Sequence, residues 1–263
     1  MARKRGLGFV GALWRVNLLS AMEYRVPFIM QLGGMMLNNV IYFAFWVLFF
    51  DRFEEVQGWT LRDMMLLFAV VASGLGLAMM LFGNCRAIAR IVAAGDLDRY
   101  LALPRPVLLH VLASRSSVPS MGDFVFGLIW FVLAGDVTAA HVLRFLLAVV
   151  LSACTFTASL VLANSLVFWL RRSELLADHF MNAMITFSLY PGTLFDGAAR
   201  VFLFTVVPAG LTGALPVEML RDFNAATLGW LCVGTALLAA FALLAFQVGL
   251  RRYESGSAIV ARI

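Results

Sequence analysis

The sequence predicts an all-α membrane protein that crosses the bilayer as six transmembrane helices and forms one domain over residues 1–263. Of its 263 residues, 62% are hydrophobic and 13% are charged, whereas a soluble domain has about 45–50% apolar and about 25% charged residues. The mean hydropathy is +0.92. A chain of this size cannot bury so much apolar surface inside itself, so that surface must face lipid. The composition excludes a disordered chain, a disulfide scaffold and a freely soluble enzyme.

Six apolar segments predict the six spans, because a helix needs about 20 mostly apolar residues to cross a bilayer. They run over Pro27–Phe50, Met64–Gly83, Met121–Ala134, Leu143–Leu170, Leu175–Tyr190 and Leu228–Leu250. The third is short and could extend back toward Val118, and the fifth is interrupted by His179 and Asn182, so the limits of both stay open. Small residues spaced by four on the second span predict close packing against another helix: Ala69, Ser73, Ala72 and Gly76.

The basic residues predict the orientation of these spans. Of the 20 Lys and Arg residues, 15 fall in segments 1–26, 84–117, 171–174 and 251–263. Cytoplasmic loops are enriched in Lys and Arg, so we expect these segments and both chain termini to be cytoplasmic. The other side carries an acidic run, formed by Asp51, Glu54, Glu55 and Asp63.

Residues 1–26 are too polar for a cleaved signal peptide, because Arg15 and Asn17 break the apolar stretch after the basic start. On a helical wheel, one arc holds Val10, Leu13, Trp14, Leu18, Ala21 and Tyr24. We expect a helix that lies in the cytoplasmic interface of the membrane. The alternative is a partly frayed lead into the first span.

The longest cytoplasmic connection, residues 84–117, predicts a short helix over Ala87–Ala94. Gly95 suits the left-handed position just past a helix end, and Pro104 and Pro106 prevent a long helix from continuing. Between them, a charged segment carries three apolar side chains, those of Leu97, Tyr100 and Leu101. This combination favours a docking surface for another protein. The alternative is a solvated loop whose apolar side chains rest on lipid headgroups.

The outward segment, residues 191–226, is apolar but broken by Pro191, Pro208, Pro216 and several glycines. About ten apolar residues cannot span a bilayer, although they can enter it partway. We expect two short re-entrant helices here, ahead of the last span.

Polar residues inside the spans are candidates for a partly wet substrate pathway, because each is costly in hydrocarbon. The first span contributes Asn38, Asn39 and Tyr42, and the fifth contributes Asn182 and Thr186 on one face. The alternative is helix–helix hydrogen bonding, which contributes about 0.6–2 kcal/mol for each bond.

The sequence lacks the residues for nucleotide hydrolysis. A phosphate-binding loop of the G-x-x-x-x-G-K-[ST] type needs a lysine, and Lys4 is the only lysine. Any ATP-driven process therefore needs a separate ATPase subunit. We identify no catalytic residues, and the scattered histidines and cysteines predict no metal site. We expect no nucleic-acid partner.

Several stretches resemble the permease subunits of ABC-type-2 transporters, the six-helix membrane subunits of exporters. They are Gly95–Leu101 with Pro104-Arg105-Pro106 after it, Leu189-Tyr190-Pro191, Val207–Gly210 and Gly249–Gly256. The resemblance covers about Leu7 to Gly256.

This resemblance implies that Ala87–Leu101 is the coupling helix, which sits in a cleft of a separate ABC ATPase subunit that binds ATP and Mg. The implied docking residues are Arg90, Asp96, Leu97, Asp98, Arg99 and Tyr100. It implies that the N-terminal helix is the interfacial connecting helix and that the broken outer segment caps the exit.

The resemblance further implies a second permease chain, identical or related, with a pathway between the two chains lined by the first, second and fifth spans. The substrate would be amphipathic or hydrophobic, such as a drug, lipid or natural product. The protein would lie in a prokaryotic cytoplasmic membrane, in contact with lipids. Two alternatives remain open, namely an ABC-like assembly that transmits ATPase motion to an outer partner without transport, and a polytopic membrane enzyme.

Overall fold

The computed structural model describes residues 2–135, 137–170 and 173–254, with side chains from residue 8 onward. The described residues form α-helices with short 3-10 turns and contain no strand. In chain order the α-helices are α1 (Ala2–Glu23), α2 (Arg25–Arg52), α3 (Leu61–Phe82), α4 (Ile88–Ala93), α5 (Asp98–Leu101), α6 (Val107–Ala113), α7 (Pro119–Leu133), α8 (Ala139–Ser165), α9 (Glu174–Ser188), α10 (Gly197–Thr205), α11 (Ala214–Arg221) and α12 (Ala225–Leu250). The predicted all-α class is confirmed.

Four helices of the described chain are long and apolar enough to cross a membrane, namely α2, α8, α12 and the span that begins with α3. They correspond to the predicted first, fourth, sixth and second spans. The predicted third and fifth spans are α7 and α9, of 15 residues each. At 1.5 Å per residue, each is about 22 Å long, shorter than a hydrocarbon core of about 30 Å. The bent pair around α10 and α11 adds a fifth candidate if it is taken as one span.

Helix α3 lies at the centre of the bundle and packs against α7 and α8, while α8 also packs against α12. In an apolar 18-residue stretch of each span, 72% of the residues are buried in the span that begins with α3, whereas 11% are buried in α2 and 22% in α12. A Cβ on Gly127 of α7 would lie 2.5 Å from the Ala69 carbonyl, and one on Gly76 would lie 2.6 Å from the Phe124 nitrogen. The predicted close packing of the small residues on α3 is confirmed, with α7 as the partner.

Two sides of the bundle differ. The side with α1, α4, α5 and α6 is called the loop side below, because it carries residues 84–117. Helix α1 packs against it through the Trp14 indole, which donates to the Leu81 carbonyl at 2.8 Å, and the Asn17 amide, which donates to the Ala113 carbonyl at 3.1 Å. The packed face thus includes Asn17, whereas Leu18 and Tyr24 of the predicted apolar arc are exposed. Val10, Leu13, Trp14 and Ala21 of that arc are buried or half-buried, so the predicted apolar face is largely the packed one, with Asn17 added to it.

On the opposite side, the two predicted short helices are present as α10 and α11, which meet at a bend of 71°. Hydrogen bonds hold the turn before α11 to the bundle. The Ser188 hydroxyl of α9 lies 2.6 Å from the Thr212 hydroxyl, and the Ser152 hydroxyl of α8 donates to the Thr212 carbonyl at 3.1 Å. This segment is therefore packed onto α8 and α9.

Candidate functional site: a polar cavity beside the charged loop

The loop side is built around a turn at Gly95. Helix α4 ends at Ala93 with Ala94 as its C-cap, and Gly95 follows with a φ of 74°, the left-handed conformation that favours glycine. Helix α5 follows, and Pro106 forms the N-cap of α6. The short helix, its glycine termination and the interruption at the prolines are as the sequence predicts.

The exposed part of this loop is charged. Arg90, Asp96 and Arg99 are exposed, and Asp98 is half-buried. Arg99 forms a salt bridge with Asp96 at 3.3 Å. These four predicted docking residues are accessible to another protein.

The other two predicted docking residues, Leu97 and Tyr100, lie inside the chain with 0% and 7% of their surfaces exposed. This differs from the predicted exposed surface and has a physical reason, because the turn at Gly95 directs both side chains into the core. The Tyr100 hydroxyl lies 3.2 Å from the Ser114 hydroxyl, which also accepts from the Asn84 amide at 2.7 Å. Leu97 and Tyr100 therefore anchor the charged turn, and only Leu101 of the apolar trio is exposed.

Two further contacts fix the loop, and neither was identified from the sequence. The Asn164 side chain of α8 accepts from the Ala89 backbone nitrogen at 3.2 Å and donates to the Leu160 carbonyl at 3.0 Å. Beyond the end of α12, the Tyr253 hydroxyl donates to the Gly95 carbonyl at 3.2 Å. The loop is thus tied to α8 and to the segment that follows the last long helix.

His110 packs beneath the same loop, between two aromatic rings. Its ring centroid lies 5.0 Å from that of Phe9 and 4.9 Å from that of Tyr100. Burial lowers the pKa of His110, and the nearby Arg105 lowers it further. The neutral ring is thus favoured as a packing element. No group of three or more metal-ligating His, Cys, Asp or Glu side chains occurs among the described residues.

A cavity of about 570 Å³ opens beside α4. It is bordered by the first two turns of α2 and α9, the end of α3 and the 3-10 turn after it, the segment before α7 and the end of α8. Its lining is polar and includes the charged residues Arg86, Arg90, Arg115, Glu174 and Asp178 and the amides of Gln31, Asn84 and Asn164. Of these residues, only Arg90 was predicted from the sequence as a site residue.

The predicted pathway residues fall into two groups. Asn38 and Tyr42 of α2 and Asn182 and Thr186 of α9 are exposed on the surface of the chain. Asn39 is half-buried and donates to the Asp123 carboxylate of α7 at 2.7 Å. For Asn39 the structure thus displays the helix–helix hydrogen bond that was the alternative interpretation.

Asp123 itself was missed in the sequence analysis, although an acidic residue within an apolar segment is a signal. It is 4% exposed.

The long apolar helices and their packing define an integral membrane protein. A family model described as "ABC-2 family transporter protein" matches residues 36–257. The chain therefore belongs to the ABC-2 transporter family, whose permeases are membrane components that generally work with an ABC ATPase. Comparisons with curated proteins and with solved structures give no match.

Proposed function

We propose that this chain is the membrane-spanning permease subunit of an ATP-driven exporter, powered by a separate ABC ATPase that carries ATP and Mg. Family membership supports the transporter class. The observation that carries the ATPase docking is the charged turn of Arg90, Asp96 and Arg99, which is exposed while Leu97 and Tyr100 beneath it are anchored in the core. A charged turn that is anchored in the core can transmit a movement of the docked subunit to the helices that it packs against.

In this proposal the loop side and both termini face the cytoplasm of a prokaryotic cell, and α7 and α9 complete six spans in the cytoplasmic membrane. The enrichment of basic residues on the loop side supports the orientation. The α1 helix, with exposed apolar Val16 and Leu19, lies along the lipid interface as the connecting helix. Helices α10 and α11 dip partway into the opposite leaflet and cap the exit.

The exposed polar residues of α2 and α9 support pairing with a second permease chain, identical or related. Asn38, Tyr42, Asn182 and Thr186 would then line a pathway between the chains for an amphipathic or hydrophobic substrate. A single chain leaves these residues on its outer surface.

Affinity purification of the tagged chain in mild detergent tests the proposal. We expect an ATPase subunit close to one-to-one with permease, together with ATP hydrolysis. Arg99→Glu, which reverses the charge of the docking turn, should lose the ATPase. Arg52→Glu is the matched control, because Arg52 is an exposed arginine at the far end of α2. Recovery of the wild-type chain without any ATPase, even after cross-linking at Asp96, would contradict the proposal.

A further inference from the structure

The charges that line the loop-side cavity are separated into two walls. Arg86, Arg90 and Arg115 come from the 3-10 turn that follows α3, from α4 and from the segment before α7. Glu174 and Asp178 come from the first two turns of α9 and share one helix face, because they are four residues apart. One wall is therefore cationic and the other anionic.

These five side chains do not neutralise one another. None takes part in a salt bridge with a described residue, whereas Arg99 and Arg221 elsewhere in the chain do. A ligand with both charges can satisfy both walls at once. A guanidinium group binds a phosphate or carboxylate through two parallel hydrogen bonds, and the two carboxylates can accept from an ammonium group.

The cavity continues into a polar stripe on each of the two helices that border it. On α9, Glu174 and Asp178 are followed at the same spacing of four by Asn182 and Thr186, all exposed. On α2, Gln31 lines the cavity, and Asn38 and Tyr42 lie on the same helix face seven and eleven residues further on. Four of the five predicted pathway residues therefore lie on helix faces that continue from the cavity.

The dimensions and surroundings of the cavity fit the polar end of an amphiphile. Its volume of about 570 Å³ lies within the range of roughly 300–1,000 Å³ that is typical of small-molecule sites. Exposed apolar residues of α2, such as Leu37 and Ile41, follow Gln31 along the helix and flank the polar stripe, about 100° around the helix axis from Asn38 and Tyr42. An apolar tail can lie against them while the head group occupies the cavity.

We propose that this cavity binds the zwitterionic head group of an amphiphile, with its anionic part on Arg86, Arg90 and Arg115 and its cationic part on Glu174 and Asp178. That this amphiphile is the exported substrate rests on the proposed function. The binding itself needs only this chain.

Calorimetric titration of the purified full-length chain in a non-ionic detergent tests the proposal with four probes. Dihexanoylphosphatidylethanolamine is the zwitterion, dihexanoylphosphatidylglycerol the anion and hexylammonium the cation, while glycerophosphoethanolamine is the head group without tails. We expect the zwitterionic lipid to bind more tightly than the other three. Equal or tighter binding of the anion or cation would overturn the zwitterion assignment, and equal binding of the free head group would overturn the assignment to an amphiphile.

Variants of the two walls give opposite changes in charge preference. The double variant Arg86→Gln, Arg90→Gln should bind the zwitterion and the anion about tenfold or more weakly than the wild type does, because charge-assisted hydrogen bonds are lost. The double variant Glu174→Gln, Asp178→Asn should bind the zwitterion more weakly by a similar factor. It should bind the anion at least as tightly as the wild type does. An unchanged ratio of the two affinities in the second variant would overturn the proposal.

Arg52→Gln with Glu55→Gln is the matched control, because both residues are exposed on the opposite side of the bundle. It should bind all four probes like the wild type. Gel filtration of every variant checks that it remains folded. Arg115→Gln is a second, single-site test of the basic wall and should also weaken binding of the zwitterion and the anion. A chain that binds the zwitterion but recruits no ATPase would contradict the proposed function and leave the cavity assignment standing.

Discussion

Arg221, the last residue of α11, forms a salt bridge with Asp63 in the first turn of α3, with 3.1 Å between the Arg221 Nε and the Asp63 Oδ1. The same guanidinium donates to the Gly58 carbonyl at 2.7 Å and lies over the Trp59 ring. Asp63 also accepts from the Thr60 backbone nitrogen at 2.9 Å, completing the capping box of α3. The Asp63 carboxylate therefore both stabilises the N-terminus of α3 and binds the end of α11.

This double role predicts that Asp63→Ala destabilises the protein more than Arg221→Ala does. Both changes break the ion pair, whose value is limited by the partial exposure of Arg221. Only Asp63→Ala also removes the acceptor of the Thr60 backbone nitrogen and hydroxyl, which is half of the capping box and costs about 1 kcal/mol more. The Gly58 hydrogen bond that Arg221→Ala loses is exposed and contributes less. Thermal unfolding in detergent measures the difference. Arg200→Ala, at an exposed arginine of α10, should match the wild type, and equal losses for the two test variants would contradict the shared role.

The hydrogen bond from Tyr253 to the Gly95 carbonyl predicts that Tyr253→Phe loosens the charged turn at Gly95. The change removes the hydroxyl and keeps the ring that packs against the core. A net loss of about 1 kcal/mol should raise local amide hydrogen exchange around residues 95–98 about fivefold. Tyr190→Phe, at the opposite end of the bundle, is the control and should leave this exchange unchanged. Wild-type exchange in Tyr253→Phe would show that the tie contributes nothing to the loop.

His110 predicts a loss of stability on acidification. Because burial and Arg105 lower its pKa, the folded protein binds a proton at His110 more weakly than the unfolded chain does. Stability should therefore fall as the pH drops below about 6.5, the ordinary pKa of histidine, toward the lower pKa of the folded state. Unfolding temperatures compared between pH 7.5 and pH 5 should fall less for His110→Phe, which retains an aromatic ring between Phe9 and Tyr100. An equal fall in both proteins would assign the acid sensitivity to other groups.

The sequence predicts the features that depend on neighbouring residues. Continuous apolar runs identify the four long helices, and Gly95 identifies the end of α4 because few other residues adopt its backbone conformation. The small residues Ala69 and Gly76 indicate where α7 approaches α3.

Features that depend on distant partners were not predicted. The sequence predicts that Leu97 is exposed, but the fold buries it. Asn17 interrupts the apolar arc in the sequence, but in the fold its amide donates to the Ala113 carbonyl. The cavity was missed for the same reason, since its walls come from segments as far apart as Arg86 and Asp178.

The hydrogen bond between Asn39 and Asp123 predicts that two variants distinguish a role in packing from a role in transport. Asn39→Ala leaves a carboxyl group that is 4% exposed without this partner, which costs about 1–3 kcal/mol. Replacing both residues by leucine removes the unsatisfied group and should restore most of the stability in chemical unfolding. Asn38→Ala is the control, since Asn38 is the exposed neighbour. Stability of Asn39→Ala equal to that of the control would contradict the pairing. If Asn39 also contributes to the pathway, the double leucine variant should recover stability and still lose export, because the apolar side chains hold α2 against α7 but offer the substrate no polar group.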